Sequence, residues 1–305
     1  MALGATASEE CTEKVYAVSG SELRSCGINM NLAPVLDVNN NPLNPVIGIR
    51  SFGEDPHQVS RLSAAAIRGY QRHVAAVAKH FPGHGDTHLV SHHELPVIAH
   101  DRRRLESVEL VPFRAAIEAQ VAGIMTAHVE FPAIEPKQGR PATVSYQVLT
   151  KLLREDLGFD GLIMTDCMEM MAIQGTFGTA EAAVLAVEAG ADLVLVSHSE
   201  DLQQQAFNAL LNAVRTGRIT EQRIDESLAR VMRAKERFNL IGNSNEEFDV
   251  GRVGCEEHMR VMQEAIRSSL TLVQTQGSNL PVGNERILVV QFKESVSTIA
   301  EDVLV

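Results

Sequence analysis

From Ile28 to Val196 the chain alternates short apolar or β-branched runs with stretches in which apolar residues recur at helical spacing. The runs are 28–38 (INMNLAPVLDV), 74–80 (VAAVAKH), 122–128 (AGIMTAH), 141–145 (PATVS), 161–166 (GLIMTD) and 191–197 (ADLVLVS). Between them 57–72, 103–119 and 145–157 carry amphipathic helical patterns punctuated by Gly and Pro. Strands that are almost wholly apolar, each followed by a helix, predict a parallel sheet built from βα units. About six such units can be counted.

Chemically capable side chains stand at the C-terminal ends of these runs: Asp37, His80, His128, Ser145, Asp166 and Ser197. A (β/α)8 barrel of the TIM type assembles its site from that end of its strands. A doubly wound sheet would more often carry a Gly-rich phosphate turn, and neither GxGxxG nor GxxxxGK[ST] occurs. Beyond Ser197 two helices are predicted, over about 201–216 and 221–238. The polar stretch 241–255 then reads as a linker. A helix over 256–268 and strand-like runs at 269–275 and 287–292 read as the beginning of a second α/β domain, of sandwich type, over 256–305. The organisation expected is a catalytic α/β barrel over 1–240, the linker, and that partial domain.

Composition narrows the function. A net charge of −12 without a long basic run argues against nucleic acid or an anionic membrane surface as partner. No stretch approaches the roughly 18 apolar residues needed to span a bilayer, and 1–10 lacks the features of a signal peptide. A cytoplasmic protein is the expectation. Cys11, Cys26, Cys167 and Cys255 show neither CxxC nor Cys/His spacing, so reduced thiols are expected and a zinc site is not.

The most informative segment is KHFPGHGDTHLVSHHELP, residues 79–96. Gly83 and Gly85 allow sharp bends and Pro82 stiffens the turn, so the loop can present its side chains to a pocket. His80, His84, His88, His92 and His93 invite a metal reading, but Pro82, Gly83 and Gly85 forbid the regular helix that their spacing would need. No metal and no organic cofactor is expected.

Lys79, His80, Phe81, Pro82, Gly83, His84, Gly85, Ser91 and His92 resemble the signature KH(F/I)PGHGxxxxDSH of the β-N-acetylglucosaminidases of glycoside hydrolase family 3. The segments 158–170 and 31–56 resemble two further regions of that family, and the resemblance covers residues 2 to about 275. It implies a retaining glycosidase that removes terminal β-linked N-acetylglucosamine from a small carbohydrate substrate, an O-glycosyl hydrolase of the β-N-acetylhexosaminidase type. Asp166 matches its nucleophile and His92 its general acid/base. Arg50, Lys79 and His80 match residues that bind sugar hydroxyls, and His128 is expected to line the pocket. An imidazole suits the acid/base step because its ordinary pKa lies near neutrality.

Two departures stand out. Where the family has an aspartate two residues before the acid/base histidine, this chain has Val90, which can neither orient nor charge-stabilise an imidazole. Asp86 and Glu94 are the nearby carboxylates that could substitute. The segment at residues 1–6 matches one that in the family follows the second barrel strand, so two strands are expected to be absent. Two other readings follow: phosphorolysis on the same fold, since an imidazole does not repel phosphate as a carboxylate would, and a catalytically inactive protein that is carbohydrate-binding or vestigial.

Overall fold

The computed structural model describes residues 1–87, 95–242 and 248–273. Its centre is a five-stranded, all-parallel sheet in sequence order, with β1 at Met30–Asn31, β2 at Ala75–Phe81, β3 at Gly123–Thr126, β4 at Leu162–Cys167 and β5 at Leu193–Leu195. Helices follow the strands, giving the incomplete (β/α) barrel that the patterning predicted. β1 and β5 are each paired on one side only among the described residues.

The two faces of the strands bury different partners. Ala76, Ala78, Ile124 and Ile163 belong to the main core with the surrounding helices, where Phe81 packs edge-on against Phe113 at 5.1 Å. Val77, Met125 and Met164 form a separate cluster, with Met30, Leu32, Leu193 and Leu195 against it, on the inner side of the curved sheet. Side chains alternate along a strand with period two. Lys79 therefore follows Val77, and Asp166 follows Met164, onto the inner face at the C-terminal end.

Proline explains most of the differences from the predicted elements. The run 28–38 pairs as a strand only at Met30–Asn31, because Pro34 has no N–H to donate. Beyond it, pairing resumes as a single bridge from Val35 to Lys79. The predicted helix 103–119 is two helices, Arg102–Ser107 and Val111–Glu118, the second starting anew around Pro112. PATVS, counted as a sixth strand, is instead a 3-10 turn, Ala142–Val144. Pro141 heads it, and just ahead of the next helix, Gln147–Asp156, the Ser145 hydroxyl accepts from the N–H of Val148. A short, fully buried apolar run cannot be assigned from periodicity alone.

The helix Pro56–Tyr70 begins where Asp55 accepts from the His57 N–H and Pro56 occupies the first turn. It packs on Glu9–Ser25 so closely that a Cβ at Gly69 would lie 2.4 Å from the Glu13 carbonyl. Helices at Glu200–Arg215 and Glu221–Arg237 match the prediction and are capped by Ser199 and Thr220. The helix Glu256–Ser269 lies against Ala2–Thr6 and Glu9–Ser25, with His258 buried and 2.9 Å from Glu22. The described part of 269–275 pairs with no strand, and Leu270, Leu272 and Val273 are exposed. The run 287–292 lies outside the described residues.

At the N-terminal end of the strands Asp192, its side chain fully buried, accepts from Arg154, from Arg230 at 3.1 Å, from the Ser227 hydroxyl at 2.7 Å and from the Ile163 N–H at 3.0 Å. That end of a barrel carries stability rather than chemistry. A cavity of about 540 Å³ there is lined by the same arginine-rich surface, including Arg230, Arg233 and Arg237, and lies far from the chemically capable strand ends.

Candidate active site

Asp37 organises the C-terminal face of the sheet. It is fully buried and accepts from the His80 ring Nδ1 at 2.7 Å, from the His84 N–H at 2.7 Å and from the His80 N–H at 3.3 Å. Burial alone would push its carboxyl up. The His80 and His84 contacts outweigh that and hold it below its ordinary value. An ionised Asp37 fixes Nδ1 of His80 as the donor, leaving Nε2 at 3.5 Å from Arg50 Nη2 and 4.0 Å from Asp166 Oδ2.

Asp166 stands at the end of β4, and the N–H of Cys167 donates to its Oδ1 at 2.7 Å. Desolvation opposes ionisation, but His80, His128, the Cys167 N–H and Lys79 together keep the carboxyl below its usual range. It is a carboxylate at neutral pH. Lys79 is mostly buried beside it. Burial and Arg50 lower the pKa of its ammonium, while Asp166 and Asp37 oppose that shift.

The described half of the histidine loop is held by fitted contacts. A Cβ at Gly85 would lie 1.9 Å from the Val38 carbonyl, so only glycine permits this approach. Buried Asn44 donates to the His84 and Gly85 carbonyls at 2.8 and 2.9 Å and accepts from the N–H groups of Val46 and Ile47. His84 lies 2.8 Å from Thr87 Oγ1 through Nδ1, and burial first, then His80, push its pKa down to about 4. Its imidazole is neutral.

The structure brings Asp166, Lys79, His80 and Arg50 together. Arg50 donates to the Val46 carbonyl as well as approaching His80, while Asp55 serves as a helix cap. His128 sits beside the end of β4: its Nε2 donates to the Cys167 carbonyl at 2.9 Å, and Nδ1 lies 2.7 Å from the Thr143 hydroxyl. Both of its ring nitrogens are thus engaged at the end of β4, close enough to Asp166 to help hold that carboxyl ionised. His92, Val90, His88, His93 and Glu94 lie outside the described residues. Asp86 is 2.6 Å from His100 Nε2 and 4.0 Å from Arg104, so this candidate substitute for the missing aspartate is already engaged.

Sequence reasoning marked Asp37 as a strand-end residue without giving it a role. It missed Asn44, Thr87 and Glu169, whose signal exists only in three dimensions. Glu169 accepts from the backbone N–H groups of Ser197, His198 and Ser199 at 2.7, 2.7 and 2.8 Å, tying the loop after β5 to the end of β4.

Residues 1–234 match the glycosyl hydrolase family 3 N terminal domain. Over 303 residues the chain is 36% identical to beta-hexosaminidase A of Pseudoalteromonas piscicida, covering 91% of this chain and 50% of that protein. It superposes with a TM-score of 0.88 and 49% identity on a glycoside hydrolase family 3 beta-N-acetylglucosaminidase from Paenibacillus sp. str. FPU-7, over 91% of this chain and 53% of the other. A beta-glucoside phosphorylase, BglX, superposes at 0.85 with 27% identity, over 92% and 52%. The chain spans about half the length of the curated relatives it matches.

Proposed function

This chain belongs to glycosyl hydrolase family 3, and from that premise we propose that its barrel removes terminal β-linked N-acetylglucosamine by a retaining double displacement. The observation that carries the reading is the carboxylate of Asp166, on the inner face at the end of β4, with Lys79, His80 and Arg50 around it. Asp166 attacks the anomeric carbon while the glycosidic bond breaks and the leaving oxygen takes a proton from His92. Water then attacks the glycosyl ester and returns a proton to His92, freeing Asp166. Lys79, Arg50 and the Nε2 side of His80 hold sugar hydroxyls.

The similarity to hexosaminidases and to an N-acetylglucosaminidase structure supports this substrate class. Slow turnover is the expectation, because the sequence has Val90 where the family pattern has an aspartate and Asp86, one of the two nearby carboxylates, is engaged by His100. The test is turnover of an aryl N-acetyl-β-glucosaminide in phosphate buffer, with mass spectrometry of the protein during the reaction. Free N-acetylglucosamine and a glycosyl adduct on Asp166, both lost in Asp166→Ala, are expected. Release of the sugar 1-phosphate would replace hydrolysis by phosphorolysis. Sugar binding without turnover, even at high enzyme concentration, would refute catalysis.

A further inference from the structure

One cluster has no part in that chemistry. Beyond the nucleophile, the Cys167 Sγ, the Glu169 Oε2 and the His198 Nδ1 converge, with Sγ to Nδ1 3.6 Å, Sγ to Oε2 3.5 Å and Nδ1 to Oε2 3.2 Å. These are three donors of the kinds zinc selects, and they lie close enough to share one ion. With zinc bond lengths of about 2.3 Å to sulfur and about 2.0–2.1 Å to nitrogen and oxygen, a tetrahedron has edges of about 3.5 Å for S–N and S–O and about 3.3 Å for N–O. All three observed separations lie on those edges.

We propose that Cys167, Glu169 and His198 form a zinc-class metal site, with water as the fourth ligand. Linear spacing concealed it, since Cys167 and His198 are 31 positions apart and meet only because β4 and β5 are neighbours. The three donors come ready placed. Glu169 is anchored by the N–H groups of Ser197, His198 and Ser199 at 2.7, 2.7 and 2.8 Å. His198 is 66% exposed, so its second nitrogen can keep its proton in water while Nδ1 turns to the metal. On binding, the Cys167 S–H bond breaks, a metal–sulfur bond forms, and the proton leaves to solvent. The N–H donors already on Oε2 compete with a metal there, so Cys167 and His198 carry most of the affinity.

The test titrates metal-free protein with Zn²⁺ by calorimetry and, in parallel, with Co²⁺ followed by absorption. One zinc per chain and a thiolate-to-cobalt charge-transfer band are expected. The band should vanish in Cys167→Ser and in Cys167→Ala, persist in Cys26→Ser, and His198→Ala should weaken zinc by more than about tenfold. His198 is exposed, so its variant keeps the fold, which thermal melting checks directly. No zinc binding, or a charge-transfer band that survives loss of the Cys167 thiol, overturns the proposal. Because binding and not turnover is read, this outcome is independent of whether the protein hydrolyses a glycoside.

Discussion

Replacing Asp37 by asparagine keeps the shape of the buried side chain and removes its charge. The amide oxygen can still take the His84 N–H, but the NH2 group then meets Nδ1 of His80, donor against donor. His80 can escape only by moving its proton to Nε2, the nitrogen that faces Arg50 and Asp166. Charge-assisted bonds contribute about 1.5–3 kcal/mol each and are about twice as strong as neutral ones, so weakening the two 2.7 Å bonds costs about 1 kcal/mol apiece. The unmatched donor adds about 1–3 kcal/mol, giving about 3–5 kcal/mol in all. At about 2–4 °C per kcal/mol for a domain of this size, the melting temperature should fall by about 6–20 °C. Turnover of an aryl N-acetyl-β-glucosaminide should fall by about 10²-fold, since the wrong tautomer turns an N–H toward Arg50.

The acid limb adds a check on sign. The folded-state pKa of Asp37 lies below its ordinary 3.8, so its contribution is complete above that value and is lost as pH falls through the lower folded one. The two proteins should therefore differ at neutral pH and converge in strong acid. Equal melting temperatures at pH 7 together with unchanged turnover would refute the organising place given to Asp37.

Val90→Asp should raise turnover of the same aryl glycoside by restoring an orienting carboxylate two residues before His92, and no gain would remove Val90 as the cause of slow hydrolysis. His84 should make the fold acid-sensitive. With a folded pKa near 4 and an ordinary value of 6.5, the unfolded chain takes up the proton first, so stability declines between those values by up to about 3 kcal/mol. Chemical denaturation across that range should show a slope that His84→Gln flattens.

The α/β class and the end of the sheet that carries the chemistry could be read from the chain because apolar runs and polar strand ends recur with a fixed order. Asp166 and His80 were legible for the same reason, each ending a buried run, whereas Lys79 and Arg50 were legible only through the family resemblance. Extents were not. Pro34 cut the first strand, Pro112 divided a helix, and PATVS could satisfy its buried backbone equally well as a capped turn. The place of His128 was hidden because its partners, the Cys167 carbonyl and the Thr143 hydroxyl, come from other segments. Asn44 and Glu169 act almost wholly on backbone groups, which no residue pattern announces.

The Asp192 hub has a consequence for how such a barrel can change over time. Its arginines lie at the N-terminal end of the strands and share no residue with the cluster around Asp37 and Asp166. Distant sites with no shared partners contribute additively to stability. Substitutions in the histidine loop therefore leave the hub's contribution intact, and a chain can drift through altered chemistry while the scaffold stays available for a new substrate.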